Sequence, residues 1–470
     1  MFIFRTSRKL YKRGAFIGII ILLTIILVNI AYFQYEVMLA LQKSSSANSI
    51  HDETVETHYK LYSNQWQPVD GMSHKMFVYS AYYDDRNNGN MIRIIGLSEP
   101  GSSDDIKCKL HFQNAEIEIS AYDQPLDNTE ADLVAVFVAC ALPEGLKPPR
   151  AVSVNSSSNQ KISNMLLVQR IQPWNKLKKN NADTLAVCVT PLNENYSQKI
   201  RLIEFIELNT IMGVDHFIFY VKSLSEDFRC LLTDYEKQGR VSVKNWNLPI
   251  SARQNNNDHD AASNDCLYQT MAEYTYTTFL SIDEFLVPKK ASSLKDLLRF
   301  NEGKRDSKNT AAYLFKVANF YLELPDVNWN GINYNTGVYL MTISKTYRKI
   351  DSSRATKAIC KPTAVLQVLR KRELQLISGF HSSPIREQYG LCHRYRLAPA
   401  GQSSHPDEAI QDLSARKFTP QLLQAFSKQY QTSMPHCSLP SDWGIILKPA
   451  DVPLQKPDVP LQNVTLMNTL

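Results

Sequence analysis

The chain has 470 residues and a formal net charge of +6. Arg5, Arg8, Lys9, Lys12 and Arg13 account for five of those charges, so the remainder is close to neutral. That excludes the concentrated basic face of a nucleic-acid binder.

Residues 1–13 read as a cytosolic tail, because basic residues flanking an apolar span stay on the cytosolic side. Gly14 to Tyr35 carries no charge and is long enough to cross a bilayer. Gln34-Tyr35-Glu36-Val37 matches a signal cleavage site poorly, so the span reads as an uncleaved signal anchor rather than a leader peptide. The expectation is a single-pass type II membrane protein with the rest of the chain lumenal. Residues 36–73 are polar and read as a stem.

All eight cysteines lie beyond the anchor, and none has the Cys-x-x-Cys spacing that favours zinc. In an oxidising lumen their even number points to disulfides. Sequons at Asn155, Asn195 and Asn463 fit a glycosylated lumenal chain.

Residues 74–180 show short alternating strands at Met76–Ser80, Met91–Ile95, Ala115–Ile119 and Leu133–Val138, with turn residues between them. This predicts a small antiparallel β-rich domain. Cys108 and Cys140 fall on or beside those strands, and no other cysteine precedes Cys188. A bridge between them would contribute about 3 kcal/mol by restricting the unfolded chain. The alternatives are two buried thiols, or a partner for Cys108 in the following domain.

The pattern changes near Asp183, and residues 181–445 read as a second domain. Leu185–Val189 is a buried-strand run, and Lys199 to Met212 is apolar at helical spacing before Gly213. His216–Val221 is a strand, Ser225 to Gln238 a helix ended by Gly239, and Val241–Trp246 a third strand. This alternation is half of a doubly wound, nucleotide-binding α/β sheet. A further helix is expected from Asn264 or Asp265 to about Tyr274. Residues 446–470 nearly repeat a proline-rich phrase and read as a flexible tail.

The next strand runs into two acids, Ser281-Ile282-Asp283-Glu284-Phe285. Ligands of open α/β sheets sit beyond the carboxyl ends of strands, which is where Asp283 falls. Carboxylate oxygens there suit Mn²⁺ or Mg²⁺, which would neutralise charge on a leaving diphosphate.

With these pieces in place, the chain resembles glycosyltransferase family 92. The matching residues begin with Phe77-Val78-Tyr79-Ser80-Ala81-Tyr82-Tyr83-Asp84-Asp85-Arg86 and Cys188-Val189-Thr190-Pro191-Leu192. They continue through Glu204–Glu207, Gly213–Phe217, Tyr220, Asn264-Asp265-Cys266-Leu267, Ile282–Phe285 with Pro288, and His393-Arg394-Tyr395-Arg396. The resemblance implies a GT-A fold and a Golgi galactosyltransferase that uses UDP-galactose and Mn²⁺ on a glycan acceptor. It leaves homo-oligomerisation open. One departure stands out: the family usually has Asp-x-Asp-Glu-Phe, and here the first acid is Ser281. The alternative is therefore a weakened or inactive member that binds glycan or a partner.

On this reading Asp283 is the metal ligand, with His381 or His393 as a second. Glu284 is either a substrate contact or a brace for the loop, and Asp265 either faces the nucleotide or caps its helix. Arg394, Arg396 and Lys357 are candidates to hold diphosphate oxygens, and Ser281 a phosphate or ribose oxygen. Trp246 and Trp329 are candidates to stack on a sugar ring, and Asp326 is a candidate base.

Overall fold

The computed structural model describes residues 65–439 apart from 87–88, 102–104, 127–130, 157–161, 171–182, 193–197, 249–257, 305–307, 325–339, 352–354, 370–372 and 399–408. The anchor (14–35), the proline-rich tail, Asn195, Asn463, Asp326 and Trp329 lie outside the described residues. Among those residues no helix is long and apolar enough to cross a membrane.

The first domain is one sheet of β1 (Gln67–Pro68), β2 (Met76–Asp84), β3 (Met91–Ser98), β4 (Ile106–His111), β5 (Glu116–Pro125), β6 (Val134–Ala141), β7 (Ala151–Ser156) and β8 (Leu166–Arg170). Their order is β1-β2-β3-β6-β5-β4-β7-β8, and β8 returns to pair with β2, closing the sheet. That closing pair is parallel, against the expectation of a purely antiparallel domain. Closure removes free edges and encloses a core of Val78, Ile94, Leu110, Val136 and Val152. Trp66 and β1, within the stretch that the sequence assigns to the stem, pack on this domain.

A disulfide joins Cys108 to Cys140 between β4 and β6. Two more join Cys188 to Cys266 and Cys230 to Cys437, while Cys360 and Cys392 are buried thiols. Non-reducing peptide maps should recover those three linked pairs, with Cys360 and Cys392 alkylated only after unfolding. Asn155 is buried within β7, which leaves no room for a glycan on its side chain.

In the second domain β9 (Leu185–Leu192), α1 (Lys199–Ile211), β10 (His216–Val221), α2 (Glu226–Lys237) and β11 (Val241–Asn245) follow the expected alternation. Gly213 (φ +106°) and Gly239 (φ +72°) end the two helices in left-handed conformations that glycine adopts without strain. The next helix, α3, spans Asp258–Thr270, so neither Asn264 nor Asp265 caps it; both sit in its interior. β12 (Tyr276–Leu280) then pairs with β9, giving a parallel run β11-β10-β9-β12.

Strand alternation sends Val187, Val189, Phe217 and Phe219 toward α1 and α2. Cys188, Ile218 and Tyr220 point the other way, into a core shared with α3 and the first domain's Tyr79, Tyr82 and Phe137. Chain connection therefore reverses between β9 and β12, and the crevice past their carboxyl ends is the ligand position of such sheets.

Beyond a turn lie β13 (Glu284–Pro288), α4 (Leu294–Glu302), β14 (Thr310–Tyr321), a short helix α5 (Met341–Ser344), β15 (Tyr347–Ile350) and β16 (Thr356–Cys360). These are followed by β17 (Val365–Val368), β18 (Leu374–Leu376), β19 (His381–Pro384), β20 (Gly390–Arg396), β21 (Ile410–Gln411) and α6 (Thr419–Ser433). β16 extends the sheet antiparallel to β12, β14 pairs antiparallel with β16, and β20 lies between β14 and β13.

Candidate functional site

Asp283 lies in the turn between β12 and β13 rather than on a strand. Three hydrogen bonds to the backbone fix that turn. Glu284 N donates to Ser281 O at 3.0 Å, Tyr395 N donates to Asp283 O at 2.9 Å, and Ser281 N donates to Glu284 Oε2 at 3.0 Å. Thr190 Oγ1, at the end of β9, donates to Ser281 Oγ at 3.0 Å.

Glu284 is the buried brace of this turn. Its carboxylate meets Lys357 Nζ at 2.7 Å and Arg394 Nε at 3.0 Å, and Arg394 also reaches Asp351 at 3.4 Å. Lys357 and Arg394 are thus engaged inside the protein, which corrects their assignment to diphosphate. Substrate contact by Glu284 is corrected in the same way.

The Asp283 carboxyl is held above its ordinary value, first by burial and then by the negative charge of Glu284. It faces a cleft of about 520 Å³ whose walls include Thr190, Gln198, Arg201, His259, Ser281 and Arg396. Leu322 and the exposed Leu397 form an apolar side of the same cleft. Among the described residues neither Arg201 nor Arg396 is in an ion pair. Two such arginines lining one cleft with a carboxylate suit an anion with several acceptor oxygens, such as a diphosphate.

Other sequence candidates lie elsewhere. His393 is fully buried beside Phe320, within 3.3 Å of Tyr395 OH and 3.4 Å of Ser414 Oγ, and burial lowers its pKa to about 3. His381 pairs with Thr310 at one end of β14, whereas Arg396 pairs with Tyr321 at the other, roughly 35 Å away at strand rise. Neither histidine lines the cleft, so neither shares a cation with Asp283. Trp246 is buried against Trp66, Tyr79 and Tyr220 and donates to Asp258 at 3.1 Å; it is core rather than a sugar platform. Asp265 is buried among hydroxyl groups away from the cleft.

Sequence reasoning passes over Gln198, Arg201 and His259. The first turn of α1 carries no acid, and Gln198 makes no side-chain cap bond. Lys199 and Arg201 at that positive helix end run against the usual charge preference, a signal visible in sequence. His259 escapes notice because α3 starts earlier than its sequence pattern indicates.

A divalent cation fits this donor set as a shared ion. Asp283 could offer one hard carboxylate oxygen, with His259 lining the same cleft, and most of the coordination would fall to phosphate oxygens and water, the donors that Mg²⁺ and Mn²⁺ prefer. Among the described residues the one trio of close potential ligands is Cys230, His436 and Cys437, and its two sulfurs are joined to each other.

The second domain is thus an α/β sheet with an acid and two arginines lining one cleft past the carboxyl ends of β9 and β12. The family model of glycosyltransferase family 92 matches residues 183–433, more than half of the chain, and the chain belongs to that family. A β-1,4-galactosyltransferase of Caenorhabditis elegans, galt-1, is 28% identical over 224 residues, covering 45% of this chain and 51% of that protein. The chain thus spans about half the length of this curated relative. Staphylococcus aureus TarS 1–349 in complex with UDP-GlcNAc is 11% identical, with a TM-score of 0.26, covering 54% of this chain and 74% of that one. Glucosyl-3-phosphoglycerate synthase from Mycobacterium tuberculosis is 13% identical, with a TM-score of 0.22, covering 56% and 83%.

Proposed function

We propose that the cleft binds a nucleotide diphosphate sugar, UDP-galactose by analogy with the nematode relative, and transfers its hexose with inversion to a glycan hydroxyl. The observation that carries this is the placement of Asp283 in one cleft with Arg201 and Arg396, past the carboxyl ends of β9 and β12. The parallel run continued by antiparallel β16 and β14 supports a GT-A reading of the domain. Three disulfides and the uncharged segment at 14–35 support a membrane-anchored protein of the Golgi lumen.

In this reading Arg201 and Arg396 hold diphosphate oxygens, and the Ser281 and Thr190 hydroxyls offer hydrogen bonds to phosphate or ribose. Asp283, with His259, holds the Mn²⁺ or Mg²⁺, which when bound supplies charge neutralisation to the departing diphosphate. The purified chain with Mn²⁺ should release UDP from UDP-galactose when a glycan acceptor is present. No release across a broad acceptor panel, beside an active relative, would sink the reading. Arg396→Ala should raise the donor KM about tenfold, the scale of a lost charge-assisted hydrogen bond.

A second reading rests on Ser281. It brings a hydroxyl, already bonded to Thr190, where the resemblance leads one to expect a second acid. An inactive, glycan-binding member would gain Mn²⁺ affinity and UDP release only as Ser281→Asp. An active enzyme turns over before that substitution.

A further inference from the structure

Three consecutive residues of α3 are held by three different parts of the molecule. Asn264 spans the backbone of Val368, accepting from its N and donating to its O, each at 2.8 Å. Asp265 accepts from Ser80 Oγ and from Tyr82 OH (2.7 Å) on β2, and from Tyr220 OH (2.6 Å) on β10. Cys266 is bonded to Cys188 on β9. A second hold comes from Arg86, which donates to the carbonyl of Val365 at 2.8 Å and to Tyr268 OH at 3.1 Å.

Asp265 is 2% exposed, and among the described residues it has no cationic partner. A carboxylate buried among neutral hydroxyls is costlier than apolar packing of the same volume. What it provides is geometry, since both oxygens are satisfied at one placement of α3 against the first domain and β10 together. The same helix carries His259 in its first turn, roughly 9 Å along the axis from Asp265, and His259 lines the cleft.

We propose that the first domain is a positioning part of the nucleotide site: Ser80 and Tyr82, acting through Asp265, set the placement of α3 and so the presentation of His259 to the donor. This rests on the reading of the cleft as a nucleotide-sugar site. It assigns a purpose to the Ser80–Arg86 motif, which no other part of the site uses. Asp265 is a positioning residue here and touches no substrate.

The test is UDP affinity of the purified full chain in Mn²⁺, measured by calorimetry beside the melting temperature. Asp265→Asn should weaken UDP binding about tenfold and His259→Ala by a similar factor, while the double variant is no weaker than His259→Ala alone, because coupled residues do not add. Tyr82→Phe should weaken it about threefold, since it loses one hydroxyl and keeps the ring packed on Tyr268. If Asp265→Asn does not fold, the Tyr82→Phe and His259→Ala cycle decides. Unchanged UDP affinity in folded variants, or effects that multiply with His259→Ala, would overturn the proposal. A wild-type chain that binds no UDP overturns the cleft reading and this inference with it, whereas binding that the variants leave intact overturns this inference alone.

Discussion

With the proposed function, Asp283→Asn should remove nearly all turnover, by about two to three orders of magnitude, while raising the melting temperature of the unliganded protein. The first effect would follow from losing the carboxylate that the proposed reading gives to the cation, the one acid among the described residues of the cleft, on the scale of losing a single preorganised electrostatic group. The second follows from linkage. Burial and the neighbouring Glu284 raise the folded-state pKa of Asp283 above its ordinary value of 3.8. The folded chain therefore holds that proton more tightly than the unfolded chain does. This contribution is fully present below the unfolded value and is lost as pH rises through the folded one. At neutral pH the ionised carboxylate is a net strain on the fold, and the uncharged amide relieves it. Mn²⁺ should raise the wild-type melting temperature and leave that of Asp283→Asn unchanged. A variant that melts lower than wild type without metal, or that still gains stability from Mn²⁺, contradicts this account.

Much of the second domain is legible in the sequence because its signals are local. Val187 and Val189 share one strand face, the apolar positions of α1 recur at helical spacing, and Gly213 and Gly239 mark helix ends. The start of α3 is not legible, because the helix is buried on nearly all sides by a mixture of polar and apolar residues. Asn264 and Asp265 are buried there by partners 104 and 185 residues away, so no apolar stripe announces the helix. The same reason hides the closed sheet of the first domain, whose final pairing joins Ala81 to Val168.

The site divides along the same line. Asp283 is readable as an acid ending a buried strand. The direction of the charges near it is not. Arg394 and Arg396 lie two residues apart on β20, yet one is engaged with Glu284 and the other lines the cleft. Sequence spacing gives them one face of a strand, and only the turn packed against that face separates their roles. His393 is a plausible ligand until β20 places it on the opposite face, under Phe320.

Glu284→Ala should be among the most destabilising single changes in the second domain, lowering its unfolding free energy by about 3–5 kcal/mol, the cost of breaking a buried ion pair from one side. The carboxylate is 3% exposed and faces the buried Lys357 and the half-buried Arg394; its loss takes the 2.7 Å partner from Lys357 and leaves Arg394 only Asp351 at 3.4 Å. Its loss also frees Ser281 N, so the Asp283 turn loosens and turnover falls with stability. Charge and volume can be separated. Replacing Glu284 and its two cationic partners together, as Glu284→Leu with Lys357→Met and Arg394→Met, leaves only the part-exposed Asp351 to be solvated and should recover most of the lost stability, since apolar substitution of buried ion partners together is close to neutral. Turnover should stay low in that triple variant, because an apolar side chain in place of Glu284 cannot accept from Ser281 N. Denaturant titration of the three proteins distinguishes the cases. A triple variant no more stable than Glu284→Ala would show that Glu284 acts through packing and not as the counter-charge of the cluster.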